Sequence, residues 1–150
     1  MGLANFQQLW DAIASQKHAT EVFLRYLADG GNIDTKHPET GLPILHYAIE
    51  MADSALVQAL LKAGADTQIR NALKQTPLHR AVDIDIDGVQ QRTGNLANVD
   101  FAMTRLVLKA GGDLSAKDKD GKMPRDWVAG YGQDVLNRFD KLTAELANRK

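Results

Sequence analysis

Apolar residues in this chain recur in short blocks that end on glycine, and the blocks set a period. Leu60 and Leu61 run into Lys62-Ala63-Gly64-Ala65-Asp66, and Val107 and Leu108 run into Lys109-Ala110-Gly111-Gly112-Asp113. Each block reads as the end of an apolar-faced helix that Gly64 or Gly111 stops in the left-handed conformation. A second kind of helix start precedes them. Thr76-Pro77-Leu78-His79 offers a hydroxyl at the N-cap and a proline at the first helical position, where a missing N–H costs nothing. His79 then falls in the first turn, within reach of Thr76. Pro43-Ile44-Leu45-His46, 33 residues upstream, is a looser copy with the same Leu-His-x-Ala ending. Toward the ends, Leu9 to Leu27 predicts a helix pair before Gly30. Val135, Leu136, Phe139, Leu142 and Leu146 space out an amphipathic closing helix. The predicted core is Leu45, Ala48, Leu60, Leu61, Leu78, Ala81, Val107 and Leu108.

These motifs resemble those of the ankyrin repeat family, a 33-residue unit of a turn and two antiparallel helices with a Thr-Pro-Leu-His-x-Ala opening. The run from Asp113 to Lys122 is similar to the family's consensus turn. The resemblance implies an all-α solenoid of about four helix-turn-helix units with β-hairpin-like turns, capped at both ends. The glycines count the units. Gly30 to Gly64 spans 34 residues, and Gly64 to Gly111 spans 47, so the third unit carries about 14 additional residues. We place the units at about 5–37, 38–70, 71–117 and 118–150 within a single domain, with the insertion near 84–98. Met123-Pro124-Arg125-Asp126-Trp127 stands in for the signature in the last unit.

Composition adds little that would redirect this reading. At 44% hydrophobic, 25% charged and a net charge of −1, the chain has ordinary globular values and no field to steer it toward nucleic acid or membrane. Its beginning lacks the basic and apolar stretches of a secretory signal, and Phe6 stands where a myristoyl signal wants Ser or Thr. A cytoplasmic protein, monomeric when unbound, is expected. With no cysteine, neither disulfides nor thiolate metal sites are available.

Candidate chemistry is sparse. His18, His37, His46 and His79 have no metal-ligand spacing, and no Ser/His/Asp or Cys/His set assembles, so neither a cofactor nor an enzyme is expected. His46 lacks the threonine partner that His79 has, because Pro43 takes its place. Asp83-Ile84-Asp85-Ile86-Asp87-Gly88 begins like a calcium loop, yet Gly94 stands at the twelfth position where the bidentate Glu belongs. Asp83, Asp85 and Asp87 are therefore an alternative metal site, and calcium-regulated binding an alternative function. Gly88, Gly94 and Gln90-Gln91-Arg92-Thr93 argue for a loop over 84–98, with Ile84, Ile86 and Val89 as apolar anchors for a partner. Deleting it would then leave cooperative melting intact.

Function follows from the stack. The variable residue after each signature His aligns as Asp11, Tyr47, Arg80 and Trp127, and the resemblance implies that this row faces a concave groove. Tyr, Arg and Trp are residues enriched at binding hot spots. Glu50, Met51 and Asp83 extend the surface, and Leu73 and Lys74 mark a turn tip. The expected role is non-enzymatic binding of another protein. An immunity or antitoxin-like inhibitor is one form of it, and an adaptor or host-directed effector another.

Overall fold

The computed structural model describes residues 3–149, with side chains from Phe6 onward, so the expectation about a lipidation signal at residues 1–2 lies outside the described residues. Four helix pairs follow one another: α1 (Leu3–Ser15) with α2 (Ala19–Ala28), α3 (Ile44–Glu50) with α4 (Ser54–Lys62), α5 (Pro77–Thr93) with α6 (Ala102–Lys109), and α7 (Pro124–Ala129) with α8 (Gln133–Ala147). No strand occurs among the described residues; Lys36 and Pro43 form an isolated antiparallel bridge at the first turn. Among those residues no helix is long and apolar enough to cross a membrane.

Each pair forms for reasons visible in its sequence. At α5, Thr76 and His79 make the reciprocal cap: the Thr76 N–H donates to His79 Nδ1 at 3.1 Å, and the Thr76 hydroxyl lies 3.0 Å from the same nitrogen. Gly64 and Gly111 end α4 and α6 at φ 95° and 104°, where a Cβ would be strained. The inner helices α3, α5 and α7 pack in series. Between them Leu45, Ala48, Leu60, Leu78, Ala81 and Val107 are buried as the sequence implies, whereas Leu61 and Leu108 pack half-buried at the margin.

The histidines link one unit to the next. His46 Nε2 donates to the Gln75 carbonyl at 2.8 Å, and His79 Nε2 to the Lys122 carbonyl at 2.8 Å. Both acceptors sit one residue before the next N-cap, Thr76 or Met123. The turn tips repeat as well. Asn71 Oδ1 accepts the N–H groups of Leu73 and Gln75, and Asp118 Oδ1 those of Asp120 and Lys122. His37 Nδ1 accepts those of Glu39 and Thr40.

The segment 84–98 is not the loop that its glycines suggested. α5 continues unbroken to Thr93, Gly94 ends it at φ 65°, and Leu96–Asn98 forms a 3₁₀ turn. The physical reason is periodicity: Val82, Ile86 and Val89 fall at i, i+4 and i+7 on one face. That face is buried in a second core with Val99, Phe101, Val128, Val135, Phe139 and Leu142. Ile86 is 0% exposed, so the expectation that it anchors a partner is corrected; it anchors the last unit instead. Ile84 is half-buried against the main core.

Candidate functional site

The variable positions of the inner helices do come to lie on successive units, and three clusters grow from them. On the first, Tyr47 stacks on His37 with ring centroids 5.8 Å apart and 13° between planes, and meets the edge of Trp10 at 5.6 Å. Trp10 is buried and touches Phe6 at 6.1 Å. Asp11 is exposed and accepts from Gln7 along its own helix at 2.9 Å.

The second cluster is a charged chain that crosses three units. Arg80 Nε lies 3.3 Å from Glu50 Oε1, and Arg80 Nη1 donates to Asp83 Oδ2 at 2.8 Å. The Tyr131 hydroxyl approaches Asp83 Oδ1 at 3.5 Å. Burial pushes the Asp83 carboxyl up and Asp87 adds to it, while Arg80 pulls it down; the net direction is upward. Burial and the same two carboxylates raise the Tyr131 phenol. Met51 is half-buried beside this chain on the main core, its carbonyl taking the Gln16 amide at 2.6 Å.

The third cluster centres on Trp127. Its indole N–H donates to Asp118 Oδ2 at 2.9 Å, and its ring meets His79 edge-on at 5.8 Å. Burial pushes the Asp118 carboxyl up, but N–H bonds from Lys122, Trp127 and Asp120 outweigh it and hold the group below its usual range. Asp126 Oδ2 accepts the Met123 N–H at 2.8 Å and so caps α7.

The turn tip places Leu73 and Lys74 at the surface, Leu73 being 42% exposed and Lys74 at φ 57°. The Leu73 carbonyl accepts the Lys119 N–H at 3.0 Å, and Arg70 Nη1 bonds the carbonyls of both Lys74 and Lys117, so adjacent tips are tied together.

The calcium alternative is overturned. Asp83, Asp85 and Asp87 lie on helix α5, where i and i+2 point to different faces, so the three cannot converge on one ion. Among the described residues no group of three carboxylates or imidazoles could hold a metal. Asp85 instead caps α6 across the unit, its carboxylate accepting the N–H groups of Met103 at 3.1 Å and Thr104 at 2.8 Å, plus the Thr104 hydroxyl at 2.7 Å. Burial raises its carboxyl despite these donors.

Sequence reasoning missed Trp10, His37, Asp118 and Tyr131. Trp10 was overlooked because the first helix pair lacks the signature that fixes alignment. Asp118 carried a signal, since it stands where Asn71 stands in the preceding tip.

The family model "Ankyrin repeat" matches residues 40–72. The chain is 29% identical over 134 residues to neurogenic locus notch homolog protein 1 of Homo sapiens, covering 86% of this chain and 5% of that protein. It is 31% identical over 108 residues to protein phosphatase 1 regulatory subunit 27 of Mus musculus, covering 72% of this chain and 60% of that protein. The chain thus spans a small part of the Notch proteins and somewhat under two thirds of the regulatory subunit. Among solved structures, the ankyrin repeat domain of Bcl-3 superposes with a TM-score of 0.65 at 20% identity, covering 88% of this chain and 50% of that one.

Proposed function

Because this chain belongs to the ankyrin-repeat family, we propose that it is a non-enzymatic module that binds another protein along the row Tyr47, Arg80 and Trp127. The observation that carries the reading is the charged chain from Glu50 through Arg80 and Asp83 to Tyr131, which spans the second, third and fourth units on one side of the stack. A half-buried run of paired charges flanked by Tyr and Trp joins contact area to directional hydrogen bonding, the combination enriched at interface centres. Each side chain is already held by neighbours, so little ordering cost falls on association. Glu50, Met51, Leu73 and Lys74 extend the contact at its edges.

Inhibition of a toxin, in the manner of an immunity protein or antitoxin, is one form of this binding, and adaptor or effector roles are others. In the first case the captured partner would be toxic alone and silent in complex. The test of the common reading is affinity capture with the intact chain and with a Glu50→Gln/Leu73→Glu variant, which removes one charge from the row and places another at the exposed turn tip without touching the core. A protein recovered by the intact chain and lost from the variant at unchanged melting temperature supports the groove. Equal recovery from both rejects it.

A further inference from the structure

Building on the groove reading, we infer that the recess between the third and fourth units is a socket for a cationic side chain, arginine or lysine, that the partner protein presents. The recess encloses about 330 Å³. Asp83, Asp118, Asp120 and Asp126 line it against a single cation, Lys122, and Trp127 and Tyr131 supply its aromatic wall. Carboxylates alone would make a solvated edge. Two further observations lift this site above that.

The first is Asp118, which is 7% exposed. Its Oδ1 accepts two backbone N–H groups and its Oδ2 one indole N–H, all from neutral donors. A carboxylate offers about four acceptor positions, so Oδ2 keeps one that this network does not fill. Among the described residues no Lys or Arg stands within 4.0 Å of it. A carboxylate kept ionised by neutral N–H donors, with one acceptor position left over, can take a charge-assisted bond from a positive group brought from outside.

The second is the aromatic wall. Tyr131 is 37% exposed, one of four large hydrophobic side chains at the surface among the described residues, and it lines the recess with Trp127. A Lys or Arg side chain couples an apolar stem to a charged head, and aromatic surface beside carboxylates suits both halves at once. Arg80 does not fill the role, because its guanidinium is engaged by Glu50 and Asp83.

The test uses the full chain labelled with ¹⁵N and three nine-residue Gly/Ser peptides whose central pair is arginine, lysine or glutamate. The chain has two tryptophans, so the indole N–H of Trp127 can be followed with that of Trp10 as an internal control. Saturable movement of the Trp127 signal with the arginine or lysine peptide, without movement of Trp10 and without effect of the glutamate peptide, is expected; the tighter of the two names the head group. An Asp120→Asn/Tyr131→Ala variant, altered at exposed positions, should bind at least roughly fivefold more weakly with its melting temperature unchanged. A still Trp127 signal with both cationic peptides, or equal affinity of the variant, overturns the socket. Either result leaves the groove reading to its own capture experiment.

Discussion

His46 shows what one missing hydroxyl does. Its Nε2–H is bonded to Gln75, but Nδ1 is a buried nitrogen with no partner, because Pro43 offers neither the N–H nor the hydroxyl that Thr76 gives His79. Pro43→Thr should stabilise the protein by about 1 kcal/mol, the gain from satisfying Nδ1 exceeding the small loss of proline rigidity; urea unfolding would measure it. Burial holds the His46 pKa at about 4, below the 6.5 of a free imidazole. The unfolded chain therefore takes up the proton first as pH falls, and stability drains away from pH 6.5 down to 4. Between pH 7 and 5 this group should account for about 2 kcal/mol. Buried His79 acts in the same sense, while Asp83 and Asp85, whose carboxyls burial raises, oppose it. The clean measurement is thus the difference in slope between the intact chain and His46→Gln, whose amide can still donate to Gln75. At this scale the sequence spoke clearly for His79, whose partner is three residues away, and left His46 open, since its acceptor lies 29 residues on.

Elements are where local signals misled. Gly88 disfavours a helix by propensity, Gln90 to Thr93 offer no apolar face, and Gly94 suggested a turn, yet α5 runs through to Thr93. Burial of Val82, Ile86 and Val89 offsets a glycine cost of about 1 kcal/mol several times over. That face could have been found in the sequence, by extending the 3.6 period past Asp83 instead of stopping at the glycine. The deletion expectation reverses accordingly. Removing residues 87–98 should abolish the single cooperative melt, because it takes Val89 and Leu96 out of the second core. The start of α6 depends on the same helix. Asp85→Ala would strip the acceptor from two backbone N–H groups and a buried hydroxyl. A loss of about 2 kcal/mol is expected, with faster amide exchange at Met103 and Thr104.

At the scale of the molecule there are two cores, and α5 belongs to both. Leu78 and Ala81 face the first, with α1 to α4; Val82, Ile86 and Val89 face the second, with α7 and α8. Solenoids ordinarily divide their stability among nearest neighbours, and here the last boundary has been thickened by the insertion, while a bidentate Arg125–Asp140 pair ties α7 to α8 within the last unit. Ile86→Ala should cost about 2–5 kcal/mol and act unevenly. Native-state hydrogen exchange would show α8 losing protection while α3 and α4 change little. The repeat count and the stacking order were legible in the glycine and His spacings. The second core was not, because its members come from the insertion, the residues ahead of α6 and the closing helix, and share no period.

The two His-to-carbonyl links run over 29 and 43 residues, yet end on equivalent atoms. The 14 extra residues therefore bulge from the ladder without shifting its rungs. A gene copy of the block 43–75 begins with a donor and ends with the acceptor it requires, so tandem duplication could lengthen the protein at that seam while leaving the thickened tail untouched. Growth by recombination has a ready-made joint on one side of α5 and none on the other.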